Sequence, residues 1–208
     1  MKLSSFPGMF RSDEAGWLEL VRIHPSVAKL TAFFVIPLSL LPPAMFAWAA
    51  LEYPGRVFPL MEPPMGGTEA LLVAGVFFLA ELAMVPLMAA IIQQTGDVVE
   101  FRPDFEAAYT LAAVAPAPLW LASLALFIPS LWADVAILAL AWVGSAALIR
   151  HGVHPLFHLE DPRKARILAN FTITAGVLAW LALMRQCKFS SVNFLRRCRR
   201  DVRVRLSS

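Results

Sequence analysis

Uninterrupted apolar runs of about 20 residues recur along this chain, and nothing else in the sequence constrains its fold as strongly. A run of that length, built as an α-helix at about 1.5 Å per residue, crosses about 30 Å of bilayer hydrocarbon. The runs are continuous and do not alternate with period two, which selects helices over a membrane β-barrel. Composition agrees: 59% of the 208 residues are hydrophobic and 16% are charged. A soluble domain carries roughly 45–50% apolar and about 25% charged residues. An apolar excess of that size cannot hide in one water-soluble core, so it faces lipid.

The runs predict an all-α, polytopic transmembrane helix bundle in one domain, with five spans at about 30–51, 70–92, 105–128, 131–149 and 167–184. Ahead of them, residues 1–29 mix Lys2, Arg11, Asp13, Glu14, Glu19 and Arg22, which is unlike a cleaved signal peptide. Residues 11–24 read as a short amphipathic helix. Ser12 is its cap, Asp13 and Glu14 suit the positive end of its dipole, and Pro25 ends it. Trp17 lies on its apolar face with Leu20, Val21 and His24, and is expected to anchor it at the headgroup level. Prolines interrupt the first span (Pro37, Pro42, Pro43), the second (Pro86) and the third (Pro116, Pro118), so kinked helices are expected there.

Charge orients the bundle. The N-terminal segment carries four Lys/Arg, the second loop one and the fourth loop four; the first loop carries one and the third none. Nine basic groups against one place the N-terminus and the two long polar loops, 93–104 and 150–166, in the cytoplasm. Residues 185–208 hold eight basic groups and one acid, net +7, which leaves ten basic and fourteen acidic groups, net −4, in residues 1–184. With five spans this basic tail falls outside, against the rule, so the early loops are taken to set the orientation. The tail is a candidate for anionic lipid at about 1 kcal/mol per basic group near the surface. It has no interleaved aromatic platform, and no nucleic-acid partner is expected. Cys187 and Cys198 form neither a disulfide framework nor a zinc pattern.

Several segments then resemble a known family: GWLELVRIHPS with its central tryptophan and closing proline, VIPLSLLPP, FRPDFEAAYTLAAVAPAPLWL, and ALIRHGVHPLFHLEDPRKARILAN. Over residues 6–184 the chain resembles the bacterial branch of the Yip-type membrane proteins, whose eukaryotic relatives interact with Ypt/Rab GTPases. The resemblance implies five spans, a cytoplasmic N-terminus and the bacterial inner membrane. It brings no enzymatic activity and no cofactor. The tail from Arg185 departs from the expected pattern.

Three groups of residues invite a chemical reading. Glu81, near the middle of the second span, is an ionisable group where burial costs several kcal/mol unless it is paired, hydrated or protonated. It should face the bundle interior, towards Tyr109, Asn170 or backbone opened by a proline, either as a point on a proton, ion or solute path or as a structural interhelical hydrogen bond. The prolines either frame a broken-helix substrate site or serve packing. His151, His154 and His158 have a spacing that can present imidazoles to a metal, with Glu160 and Asp161 beside them, although Pro155 intervenes. No nucleophile elbow, phosphate loop or HExxH motif occurs, and EFRPDFE reads as a loop entering a helix. The first functional expectation is therefore a non-enzymatic membrane scaffold or adaptor, meeting protein partners or organising lipid at its cytoplasmic face. The alternative is a small transporter or channel that uses Glu81 and the kinked spans.

Overall fold

The structure is a computed structural model that describes residues 17, 22, 26–53, 66–98, 100, 101, 103–159 and 161–182. The basic tail, both cysteines, the loop 54–65 and all of the amphipathic segment except Trp17 and Arg22 lie outside the described residues. Five helices are long and apolar enough to cross a membrane: α1 Val27–Glu52, α3 Phe105–Phe127, α4 Leu131–Phe157, α5 Pro162–Ala182 and, between α1 and α3, α2 Gly67–Val98.

They run alternately up and down. Val27–Leu30 packs on Phe105–Val114 at the near end, where the chain enters, and Leu41–Glu52 packs on Ser123–Phe127 at the far end. The near end therefore gathers the start of α1, the 99–104 connection and the 158–161 connection. α2 lies against both α1 and α3, and α3 also packs on α4. Ala47, Ala70 and Ala74 form a small-residue contact that lets α1 and α2 approach closely at the far end. α5 joins through Leu168 and Ala169 in the main core and through an edge-to-face pair, Trp142 with Trp180, at 5.5 Å.

The centre of the bundle is the first half of α3. Every residue from Ala108 to Val114 is buried, as expected for a helix that is apolar all round. Elsewhere large apolar side chains point away from protein: Phe33 is 84% exposed, Leu79 65% and Leu140 72%. Such residues in the middle of helices need hydrocarbon as their solvent, so the chain is a multi-pass membrane protein.

The prolines of α1 and α3 interrupt their helices, by different means, and the one in α2 does not. Pro37 follows a π-helical turn, Thr31–Val35, which re-registers the ladder that its missing N–H would break. Pro42 and Pro43 open a new helical segment after a turn at Leu40, a position where the missing N–H costs little. Pro116 and Pro118 divide α3 into Phe105–Val114, Ala117–Ala122 and a tight 3-10 turn, Ser123–Phe127. Pro86 sits inside an unbroken α2.

The helices also outlast the apolar runs that define them. α2 reaches Val98, and α4 continues through Arg150, His151 and His154 to Phe157, beyond the expected limit at 149. α5 begins at Pro162, ahead of the expected 167. The expected loop 150–166 is therefore mostly helix, because backbone hydrogen bonding does not need hydrocarbon around it. At the 99–104 connection the chain doubles back on Gly96: the Phe101 amide donates to the Gly96 carbonyl at 3.0 Å, and a Cβ there would collide with Phe101 O and Pro103. Gln93 Nε2 adds a bond to Pro103 O at 3.1 Å.

Leu79→Arg places a charge on the lipid face of α2 near its middle. Membrane integration of that span should become less favourable by about 3 kcal/mol, as read by a glycosylation-mapped insertion assay.

Candidate functional site

Two regions carry polar or aromatic groups beyond the needs of a greasy bundle: the near end and the middle of α2. At the near end the first such group is Trp17. The ring is turned into protein. It is 1% exposed, seated in protein against Gly152 of α4, where a Cβ would fall 2.7 Å from the ring atoms Cη2 and Cζ2 and 3.0 Å from Leu111 Cδ1 of α3. The cause is a shape match: the missing side chain at Gly152 leaves a flat seat, and an indole fills it with a large apolar area. Its Nε1–H has no hydrogen-bond partner among the described residues.

Beside it, Tyr109 of α3 meets Thr31 of the π-turn. The Thr31 hydroxyl donates to Val27 O at 2.7 Å, so the phenol of Tyr109 supplies the proton of the shared bond. Tyr109 is thus a tie between α1 and α3, and its hydroxyl is spent there, not on Glu81. Lys164 Nζ at the start of α5 lies 3.6 Å from Glu100 Oε2, an exposed pair worth at most about 1 kcal/mol. Glu100 itself holds φ 56° in the turn between α2 and α3.

The histidines do not converge. His151 and His154 are exposed on the last turns of α4, and His158 leaves the helix at its C-terminal end with φ 49°. Among the described residues no group of three or more histidine, cysteine or acidic side chains is placed to hold a metal ion. Glu160 lies outside the described residues.

In the middle of the membrane, Glu81 is 8% exposed. It turns inward because its neighbours on α2 at the lipid face, such as Leu79, are apolar and its own carboxyl is the costliest group to show to hydrocarbon. The indole N–H of Trp120 in α3 donates to it, while its Oε2 has no partner among the described residues. Asn170 is exposed on α5, where its backbone carbonyl accepts from the Thr174 hydroxyl at 2.9 Å. The Trp120 contact was not anticipated. The readable signal was that an indole is a donor only, and a donor inside a span must find an acceptor. Two further buried groups were missed, both without partners among the described residues: the carboxylate oxygens of Asp134 in the first turn of α4, and Ser145 Oγ.

Five apolar spans and a broken third helix at the centre define a polytopic helical membrane protein. The family model for the Yip1 domain matches residues 8–183, so the chain belongs to the Yip1 domain family. No curated protein and no solved structure matches the chain.

Trp17→Ala should lower the stability of the detergent-solubilised protein by about 3–5 kcal/mol, the scale for emptying a buried aromatic site. Tyr109→Phe, which removes only the bond to Thr31, should cost about 0.6 kcal/mol. Thermal unfolding of the two variants side by side measures both.

Proposed function

We propose that this protein is a non-enzymatic membrane scaffold or adaptor of the Yip type, resident in the bacterial inner membrane with its N-terminus in the cytoplasm. Membership of the family supports the general role. The observation that carries the reading is the seat of Trp17. It sets Trp17 on α4 at the end of the bundle that also carries Glu100, His158 and Asp161, and this supports a shared face there. Arg22, Glu100, His154, His158 and Asp161 are exposed there, a mixed-charge surface suited to protein partners and lipid headgroups. The excess of basic groups in these segments supports placing that face in the cytoplasm. The basic tail beyond Arg185 adds a further element for anionic lipid.

A second reading, transport of a small solute, draws on Glu81 and the proline-broken helices α1 and α3. The two are separable. Photo-crosslinkers at Arg22 and Glu100 should trap the same partner in living cells, and removal of residues 1–16 together with Trp17→Ala should abolish both adducts. A crosslinker at lipid-facing Leu79 should trap none of it. If instead reconstituted vesicles show a solute flux that Glu81→Gln eliminates, the transport reading replaces the scaffold.

A further inference from the structure

Glu81 has a property that a scaffold does not require. It lies 14 residues after Gly67 and 17 before Val98, hence about 21 Å and about 25 Å from the two ends of α2. No other ionisable side chain in the five spans occupies such a place. α1 has Lys29 and Glu52 at its extremes, and α2 has Glu69 and Asp97 in its terminal turns. On α3, Glu106 and Tyr109 belong to the first two turns, and Tyr109 is spent on Thr31. On α4, Asp134 is in the first turn and Arg150, His151 and His154 are in the last turns. α5 carries Arg163, Lys164 and Arg166 only at its start. No cation therefore reaches Glu81 from any of the five spans.

Among the described residues what does reach it is one neutral donor, the Trp120 N–H. An ionised carboxylate in hydrocarbon needs a countercharge or several donors, and one indole supplies neither. The opposite side of the carboxyl, Oε2, is buried and has no partner among the described residues. A bare oxygen there is costly; an O–H group is neutral and suits the place. The Ile36–Ser39 segment, which packs on both α2 and Ala117–Ala122, is followed by Pro42 and Pro43, whose missing amides leave the carbonyls of Leu38 and Ser39 without their usual helical partners.

We propose that Glu81 is a proton-binding site in the membrane interior, in which Trp120 holds one carboxyl oxygen and the other takes up and releases a proton. The ligand class is a hydron. This holds whether or not the scaffold reading stands.

Infrared spectra of the whole protein in lipid vesicles test it. The wild type should show at neutral pH the carbonyl band of a protonated carboxylic acid that is absent from Glu81→Gln. The band should shift in D2O and disappear at alkaline pH. As a second measurement, a hydrophobic carbodiimide should modify Glu81. In that reaction the carboxyl proton passes to a carbodiimide nitrogen while the carboxyl oxygen bonds to the central carbon, which then rearranges to a stable acylurea found by peptide mass. Sodium ions should not protect against it. Absence of the difference band overturns the proposal, as does a band that neither exchanges nor depends on pH, which marks a fixed hydrogen-bonded acid. Protection of Glu81 by sodium also overturns it, in favour of a metal-cation site. Unchanged elution and helicity of Glu81→Gln exclude misfolding as the source of the difference.

Discussion

Every backbone N–H and C=O inside hydrocarbon has to find its partner within the protein, and the rest of this structure follows from how that requirement is met. In unbroken helices the ladder meets it unaided. Prolines remove donors, and the chain compensates by placing the damaged segments against protein. Half of the apolar window of α3, which holds Pro116 and Pro118, is buried inside the bundle. For α1, with Pro37, Pro42 and Pro43, the share is 33%, and for α5, with no proline after its first residue, it is 17%. The most interrupted helices are the most enclosed. Exposed carbonyls that would be intolerable against lipid are bearable next to side chains, and the π-turn at Thr31–Val35 and the hydroxyl of Ser39, which donates to Ile36 O at 3.3 Å, are local repairs of the same kind.

That ordering makes α3 the hub on which both polar regions rest. Its first half presents Leu111 towards Gly152 beside the Trp17 ring and Tyr109 towards Thr31; its second half presents Trp120 to Glu81. Leu111 and Trp120 are nine residues apart, with the break at Ala115 and Pro116 between them. An intact helix would carry both on one rigid rod. The break gives each half its own direction, so the half beside Trp17 and Thr31 and the half beside Glu81 can each pack without forcing the other.

The number, type and rough extent of the membrane helices were legible because continuous hydrophobicity over about 20 residues has one cheap solution in lipid. Helix ends were not, since α4 runs on through Arg150, His151 and His154 on hydrogen bonding that a hydropathy pattern does not record. The inward turn of Glu81 follows from its cost in hydrocarbon, which a sequence states plainly. Its neighbour Trp120 depends on the relative rotation of two helices, which a sequence does not state. Trp17 is the clearest case: amphipathic spacing picks it out, but the surface that receives it is made by the absence of a side chain at Gly152, far away along the chain.

Trp17 also shows why a buried contact can serve an exposed function. A tryptophan among headgroups holds its segment to the membrane but leaves it free to move in the plane. A tryptophan seated on Gly152 fixes that point of the chain to one helix. The seat has a cost, since the indole N–H goes without a partner among the described residues, and a purely structural core would favour phenylalanine there. The gain lies in placement: the ring is held at one end of the bundle, beside the last turns of α4. In a protein whose spans are otherwise lined by alanine, leucine and valine, that end and the single acid at mid-membrane are the two places where chemistry more specific than packing is concentrated.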